Sequence, residues 1–150
     1  MARVKVNLDK LKKALPSARL GFNADVKATL GAEIDKQISK GVSPVQGQAR
    51  YGDYKPSYKA SIKAGYQGTV KRVRPVNLTV TGDLRKSQKL KADKDKISVA
   101  YTDEKAKWHN EGTAKMVRRP LLPTVPGEVF SRVITKFLLD KAKKVLTQFL

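Results

Sequence analysis

Residues 127–150, GEVFSRVITKFLLDKAKKVLTQFL, decide the fold class. Phe130, Val133, Ile134, Phe137, Leu138, Ala142, Val145, Leu146 and Phe149 recur at i, i+3 and i+4 spacing, which gathers them on one face of a helix that begins after Pro126. Arg132, Lys136, Lys141, Lys143 and Lys144 take the opposite face. So wide an apolar stripe needs a sheet or a second helix to cover it. Packing into a core accounts for it better than adsorption to a membrane surface. The second helix is predicted over residues 24–40, ADVKATLGAEIDKQISK, where Val26, Leu30, Ile34 and Ile38 recur every four residues. Asn23 is its expected N-cap, Gly41 its expected C′ residue, and Pro44 lies just beyond.

The remaining elements are shorter. Residues 76–80 read as a strand and residues 82–87 as a turn of helix. Residues 87–92 and 97–101 read as a hairpin around a polar turn at 93–96, since Ile97, Val99 and Tyr101 alternate with Ser98 and Ala100. Thr102 is placed to cap a short helix running through Trp108, and residues 111–123 read as a loop. Near the start, Val4 and Val6 suggest a short strand. Asn7 then caps a short helix carrying Leu8, Leu11 and Leu15, stopped by Pro16, with a loop over 17–23. This order predicts an α+β fold: a small antiparallel sheet packed against two main helices, at about 24–40 and 127–150. The long stretch at about 42–74 is expected to be an extended arm or loop, with one helical turn near 57–64, that orders against a partner. The chain is thus read as one domain, residues 1–150, with a basic arm containing Tyr, Gly and Pro inserted at about 46–74.

The chain has 150 residues, enough to bury a core without disulfides. Cysteine is lacking and His109 is the single histidine, which argues against a structural metal site; no metal and no cofactor are expected. No run of apolar residues is long enough to span a membrane, and charges interrupt the apolar residues of the first fifteen positions. Neither a membrane partner nor a leader is expected, and the default compartment is the cytoplasm. Lys and Arg number 32 against 13 acids, a formal net charge of +19. Such a charge favours an anionic partner, nucleic acid first and an acidic protein surface second.

No catalytic pattern is legible, and the protein is read as a non-enzyme. His109 lies two residues from Glu111 but has no nucleophile beside it in the sequence, so it is expected to hydrogen-bond neighbouring backbone. Gly65-Tyr66-Gln67-Gly68 has the spacing of a loop that clamps nucleic-acid backbones, but its flanks favour a flexible turn. The basic charge concentrates between residues 55 and 91. Lys55, Lys59, Lys63, Lys71, Arg72, Arg74, Arg85, Lys86, Lys89 and Lys91 stand there against Asp83 alone. Tyr54, Tyr58 and Tyr66 interleave with them, an arrangement suited to base stacking and phosphate contact. A solvated basic face, with the tyrosines packing the loop onto the domain, is an equally weighted reading. The first eight cations of this run are the candidate contacts to DNA or an acidic partner.

Two stretches carry a family resemblance. One is PVNLTVTGDLRKS, residues 75–87; the other is WHNEGT, residues 108–113, followed by RRPLLP, residues 118–123. With Gly41-Val42-Ser43-Pro44 ahead of them, their order resembles the minor virion proteins of tailed bacteriophages, which include the neck, tail-completion and virion-morphogenesis families. The resemblance spans about residues 24–150. The insert at 46–74 departs from it, since many relatives pass quickly from Ser-Pro to Thr-Gly. The resemblance implies a structural subunit of the head–tail junction (neck, tail-completion or tail-terminator) that joins or seals a DNA-filled head to a tail. It further implies a virion location after assembly in the host cytoplasm. The partners implied are other copies in a closed ring, with six and twelve equally compatible, and neighbouring proteins of the portal or adaptor side or of the tail tube or sheath side. Genomic DNA in the lumen is a further expected partner. Gly82, Asp83, Leu84, Trp108, His109, Gly112, Thr113, Arg119 and Pro120 are the expected scaffold or inter-subunit residues. Gly82 is expected to turn the chain, Asp83 to cap the following turn and Gly112 to supply a positive φ. Pro120 and Pro123 are expected to stiffen the entry to the last helix. The alternative is a free basic nucleic-acid-binding protein, nucleoid-like or RNA-binding.

Overall fold

The computed structural model describes residues 8–48, 50–68, 73–92 and 97–147; along 8–23 and at 145 and 146 it describes the backbone alone. The strand expected at Val4 and Val6, the cap at Asn7, the hairpin turn at 93–96 and the last three residues of the final helix lie outside the described residues. The elements are α1 (Leu8–Ser39), α2 (Pro56–Lys63), a 3-10 turn (Tyr66–Gly68), α3 (Asp83–Lys86), β1 (Gln88–Ala92), β2 (Ile97–Tyr101), α4 (Lys105–Glu111) and α5 (Arg132–Thr147). This is the α+β architecture expected.

Val26, Leu30, Ile34 and Ile38 of α1 are buried and form the spine of the core. The helix α5 lies against α1 and buries Ile134 there, with Phe137 and Leu138 beside it. The hairpin packs on α1 as well. Its antiparallel register runs from Gln88 opposite Tyr101 to Ala92 opposite Ile97. Leu90, Ile97, Val99 and Tyr101 point to the core while Lys89, Lys91, Ser98 and Ala100 are exposed, as a half-buried two-residue alternation requires. At Gly31 the approach of α1 to β1 is tight: a Cβ there would sit 2.5 Å from Gln88 Oε1 and 2.9 Å from Leu90 Cδ1.

The first helix is longer than the sequence predicts. It is continuous from Leu8, through Pro16 and Asn23, so Pro16 does not stop it and residues 17–23 are not a loop. Proline removes one i→i−4 hydrogen bond, at a cost of about 3 kcal/mol, but the Leu, Lys and Ala around it are strong helix formers and carry the helix across. Its C-terminus is as expected. Gly41, at φ +73°, donates to the Ile38 carbonyl at 2.9 Å, and Val42 donates to the Gln37 carbonyl at 3.1 Å, the paired bonds of a Schellman ending.

The last helix begins later than Pro126 suggests. Residues 127–131 run alongside the loop after α1 instead: Gln46 donates to the Val129 carbonyl at 2.9 Å and Ser131 to the Pro44 carbonyl at 2.7 Å. Phe130 forms an isolated bridge with Val45. These inter-segment bonds hold residues that periodicity alone would place in the helix.

The segment at 42–74 is not an extended arm where it is described. It doubles back through a bridge between Val42 and Arg50, buries Val45, Tyr51, Tyr54 and Ile62, and contains the two turns of α2. Its tyrosines and Ile62 supply the apolar surface that fixes it to the core. Residues 76–80 are not a strand. Val76 and Leu78 are buried in alternation, but Leu78 has φ +54° and Asn77 Oδ1 accepts from the Thr79 amide at 3.2 Å, so the backbone turns on itself. The helix expected after Thr102 starts at Lys105, whose amide is held by Asp103 Oδ1 at 2.9 Å, and continues past Trp108 to Glu111. Thr102 instead donates from Oγ1 to the Ser87 carbonyl at 3.3 Å.

A candidate aromatic and cationic pocket

Four separate segments surround a cavity of about 400 Å³. Tyr54, Tyr58 and Tyr66 form one wall. Pro56 starts α2 and Gly65 ends it, so that Tyr66 folds back onto Tyr58. The three rings stand edge to face, Tyr54 to Tyr58 at 5.2 Å and Tyr58 to Tyr66 at 5.5 Å. Leu78, Val80 and Leu84 supply an apolar wall. Gly82, at φ +91°, turns the chain into α3 and is the N-cap of that helix. Asp83 is its first residue and does not cap it; its carboxylate accepts from Thr81 Oγ1 at 2.5 Å. Helix α4 presents Lys105, Trp108 and His109 to the cavity, and Lys115 to Val117 with Arg119 complete the lining.

The electrostatics are one-sided. Lys55, Lys105, Lys115 and Arg119 line the cavity and no carboxylate does. Lys55 and Lys115 make no ion pair among the described residues. Arg119 is 4% exposed. Its guanidinium donates to the carbonyls of Asp53 at 2.8 Å, Gly52 at 3.2 Å and Val117 at 3.4 Å, and lies 5.2 Å from the centre of the Tyr54 ring. Burial lowers the Arg119 pKa from its ordinary value. Burial first, and the Arg119 charge second, push His109 down to about 4, so its imidazole is neutral at physiological pH. Its Nδ1 is buried without a hydrogen-bond partner among the described residues, which corrects the expectation of a backbone-bonded ring. The His109 carbonyl does serve the scaffold, accepting from the Arg119 amide at 2.8 Å.

The other expected site residues divide by role. Lys59 and Arg74 both pair with Asp53, whose carboxyl they hold below its ordinary range. Arg85 makes a two-pronged ion pair with Asp35, tying α3 to α1, so it serves the fold rather than an exposed binding face. Lys63 and Lys86 are exposed. Lys71 and Arg72 lie outside the described residues. Leu84 and Pro120 are buried. Gly112 has φ +77°, as expected, and Thr113 Oγ1 accepts from the Lys115 amide at 3.2 Å within a turn bridged to Met116. Gly65–Gly68 is a turn that ends α2, as its flanks predict.

Sequence reasoning missed Lys105 and Lys115. Lys105 stands three residues before Trp108, a same-face spacing already contained in the short helix expected after Thr102, but nothing local shows that this face lines a cavity. Lys115 follows a Gly-Thr turn and carries no local signal. It also missed Asn110, whose Oδ1 accepts from the amides of Leu121 at 2.6 Å and Leu122 at 3.2 Å. The described residues hold no group of three or more potential metal ligands, and no helix among them is long and apolar enough to cross a membrane. Comparison with family models, with curated proteins and with solved structures gave no match.

Proposed function

We propose that the protein is a non-enzymatic structural subunit of a tailed-phage head–tail junction, a neck, tail-completion or tail-terminator part that closes into a ring. One observation carries this reading: three of the segments that bear the family resemblance, Ser43-Pro44, residues 108–113 and residues 118–123, interlock. Ser43 Oγ donates to the Pro120 carbonyl at 2.8 Å, Arg119 is bonded to the His109 carbonyl, and Asn110 holds the backbone after Pro120. Stretches that are distant in sequence thus form one buried joint. A joint of this kind fixes the geometry of a subunit that must fit identical neighbours. Val125, Val129 and Val133, at 48%, 53% and 51% exposure, offer apolar surface for such neighbours. The test is electron microscopy of lysates from a phage whose copy of this gene carries a nonsense mutation. Unjoined heads and tails, or heads that leak DNA, are the expected result; normal infectious particles overturn the reading.

The cationic pocket favours a second reading, a free nucleic-acid-binding protein. That protein would bind DNA or RNA tightly at low salt and lose affinity steeply as salt rises, without virion neighbours.

A further inference from the structure

We infer that the cavity between α2, α3 and α4 is a binding site for one nucleotide unit, an unstacked base with its phosphate. The inference rests on the cavity alone and stands whether or not the chain is a virion subunit. Three features converge on this chemistry. The walls offer aromatic rings: Trp108, 44% exposed, lines the cavity together with Tyr54, Tyr58 and Tyr66. A base fits such a site because every base has a π-face, whatever its identity. Lys55, Lys105 and Lys115 come from three different segments and line the cavity, where no carboxylate does; Lys105 also pairs with Asp103 outside it, at 3.7 Å, while Lys55 and Lys115 make no ion pair among the described residues. That arrangement complements a phosphate. Finally, His109 is among the residues that line the cavity, and its imidazole is a ring with polar atoms suited to a base edge or a sugar, although its Nδ1 itself is buried.

An acidic peptide would meet the same charge but lacks the other complement. Extended peptides are held by main-chain bonds to a strand edge, and neither β1 nor β2 contributes a residue to this cavity. The volume, about 400 Å³, is that of a small-ligand pocket rather than a groove for a duplex. A duplex, whose bases are stacked and paired, would leave the aromatic walls unused.

Trp108 is the chain's single tryptophan, so its fluorescence reports on this site. The experiment titrates the full chain with thymidine monophosphate, a thymidine decamer, an abasic decamer of equal charge and polyglutamate. The decamer is expected to quench Trp108 and to bind about tenfold or more tightly than the abasic strand. Quenching by the monophosphate as well identifies a free nucleotide as a sufficient ligand; quenching by the decamer alone assigns the site to single strands. Trp108→Ala, at an exposed position whose fold is checked by circular dichroism, is expected to weaken binding of a labelled decamer about tenfold. Lys115→Glu is expected to do the same. An abasic strand or polyglutamate that binds as tightly as the decamer, or a decamer that leaves Trp108 fluorescence unchanged, overturns the inference.

Discussion

Ser43 and Pro120, 77 positions apart, are joined by a buried hydrogen bond in which Ser43 Oγ donates to the Pro120 carbonyl at 2.8 Å. The Tyr51 hydroxyl donates to the same carbonyl at 3.1 Å. Ser43 Oγ also accepts from the Val45 amide at 3.1 Å. One carbonyl thereby fixes both the start of the loop after α1 and the start of the tyrosine segment. Ser43→Ala is expected to cost about 2 kcal/mol: Tyr51 still serves the carbonyl, but the buried Val45 amide loses its acceptor. Tyr51→Phe is expected to cost about 1 kcal/mol, because Ser43 still serves the carbonyl. The double variant leaves a buried carbonyl with neither donor, so its loss should exceed the sum of the singles. Urea denaturation of all four proteins measures that coupling; strict additivity would mean that the two donors do not share an acceptor.

Arg119 is read from the sequence as a scaffold or inter-subunit residue; in the structure its side chain is buried and bonded within the chain. Its guanidinium holds three carbonyls that no other described side chain satisfies. Arg119→Ala is expected to destabilise the chain by about 2 kcal/mol, since it removes three charge-assisted hydrogen bonds and the contact of a buried guanidinium with the Tyr54 ring. Arg119→Lys should rescue little, because an ammonium cannot span the fork of carbonyls that a planar guanidinium reaches. Thermal unfolding separates these outcomes. A lysine variant as stable as the parent would show that charge, not the fork, matters.

These long-range bonds mark where sequence reading ends. The periodicity of Val26, Leu30, Ile34 and Ile38 and the alternation of Ile97, Val99 and Tyr101 are local, and both elements are legible. Alternation at Val76 and Leu78 is equally local, yet it reports burial and not strand pairing. Pro16 is a local stop signal that its neighbours override. The late start of α5 depends on bonds between residues 127–131 and the loop after α1, across about 85 positions of chain that no short window spans. The pocket has the same character. Its tyrosines and Lys55 are legible as a cluster, whereas Lys105 and Lys115 join it only through the fold.

Between pH 7 and 5 the stability of the chain should depend on His109. Its pKa is about 4 in the folded chain against an ordinary value of 6.5, so the folded state binds fewer protons than the unfolded chain between those values. The stability it contributes is complete above pH 6.5 and is lost as the pH falls towards 4. Burial raises the Glu128 pKa, but the Arg118 hydrogen bond and the amides of Val125 and Thr124 outweigh it, leaving a net depression. Asp53 is depressed as well, so both carboxylates lose their contribution only at lower pH, below the ordinary carboxylate values. The expected loss from pH 7 to pH 5 is on the order of 2 kcal/mol. His109→Gln should flatten that interval. An unchanged slope in the variant would assign the effect to another group.

Gly41 joins two constraints in one residue. Its φ of +73° places it in the left-handed region, which costs a residue with a Cβ about 1–2 kcal/mol. A Cβ there would also stand 2.9 Å from Pro75 Cβ and 3.2 Å from the carbonyl oxygen of the buried Val76. Gly47 has a similar φ of +80° but nothing within 4 Å of a Cβ, so it isolates the conformational part. Gly47→Ala is therefore expected to cost about 1 kcal/mol. Gly41→Ala adds crowding against a ring and a backbone that cannot rotate away, for a total of about 3 kcal/mol. The comparison is read from the urea midpoints of the two variants. Equal midpoints would show that the contact between the end of α1 and residues 75–76 yields without cost.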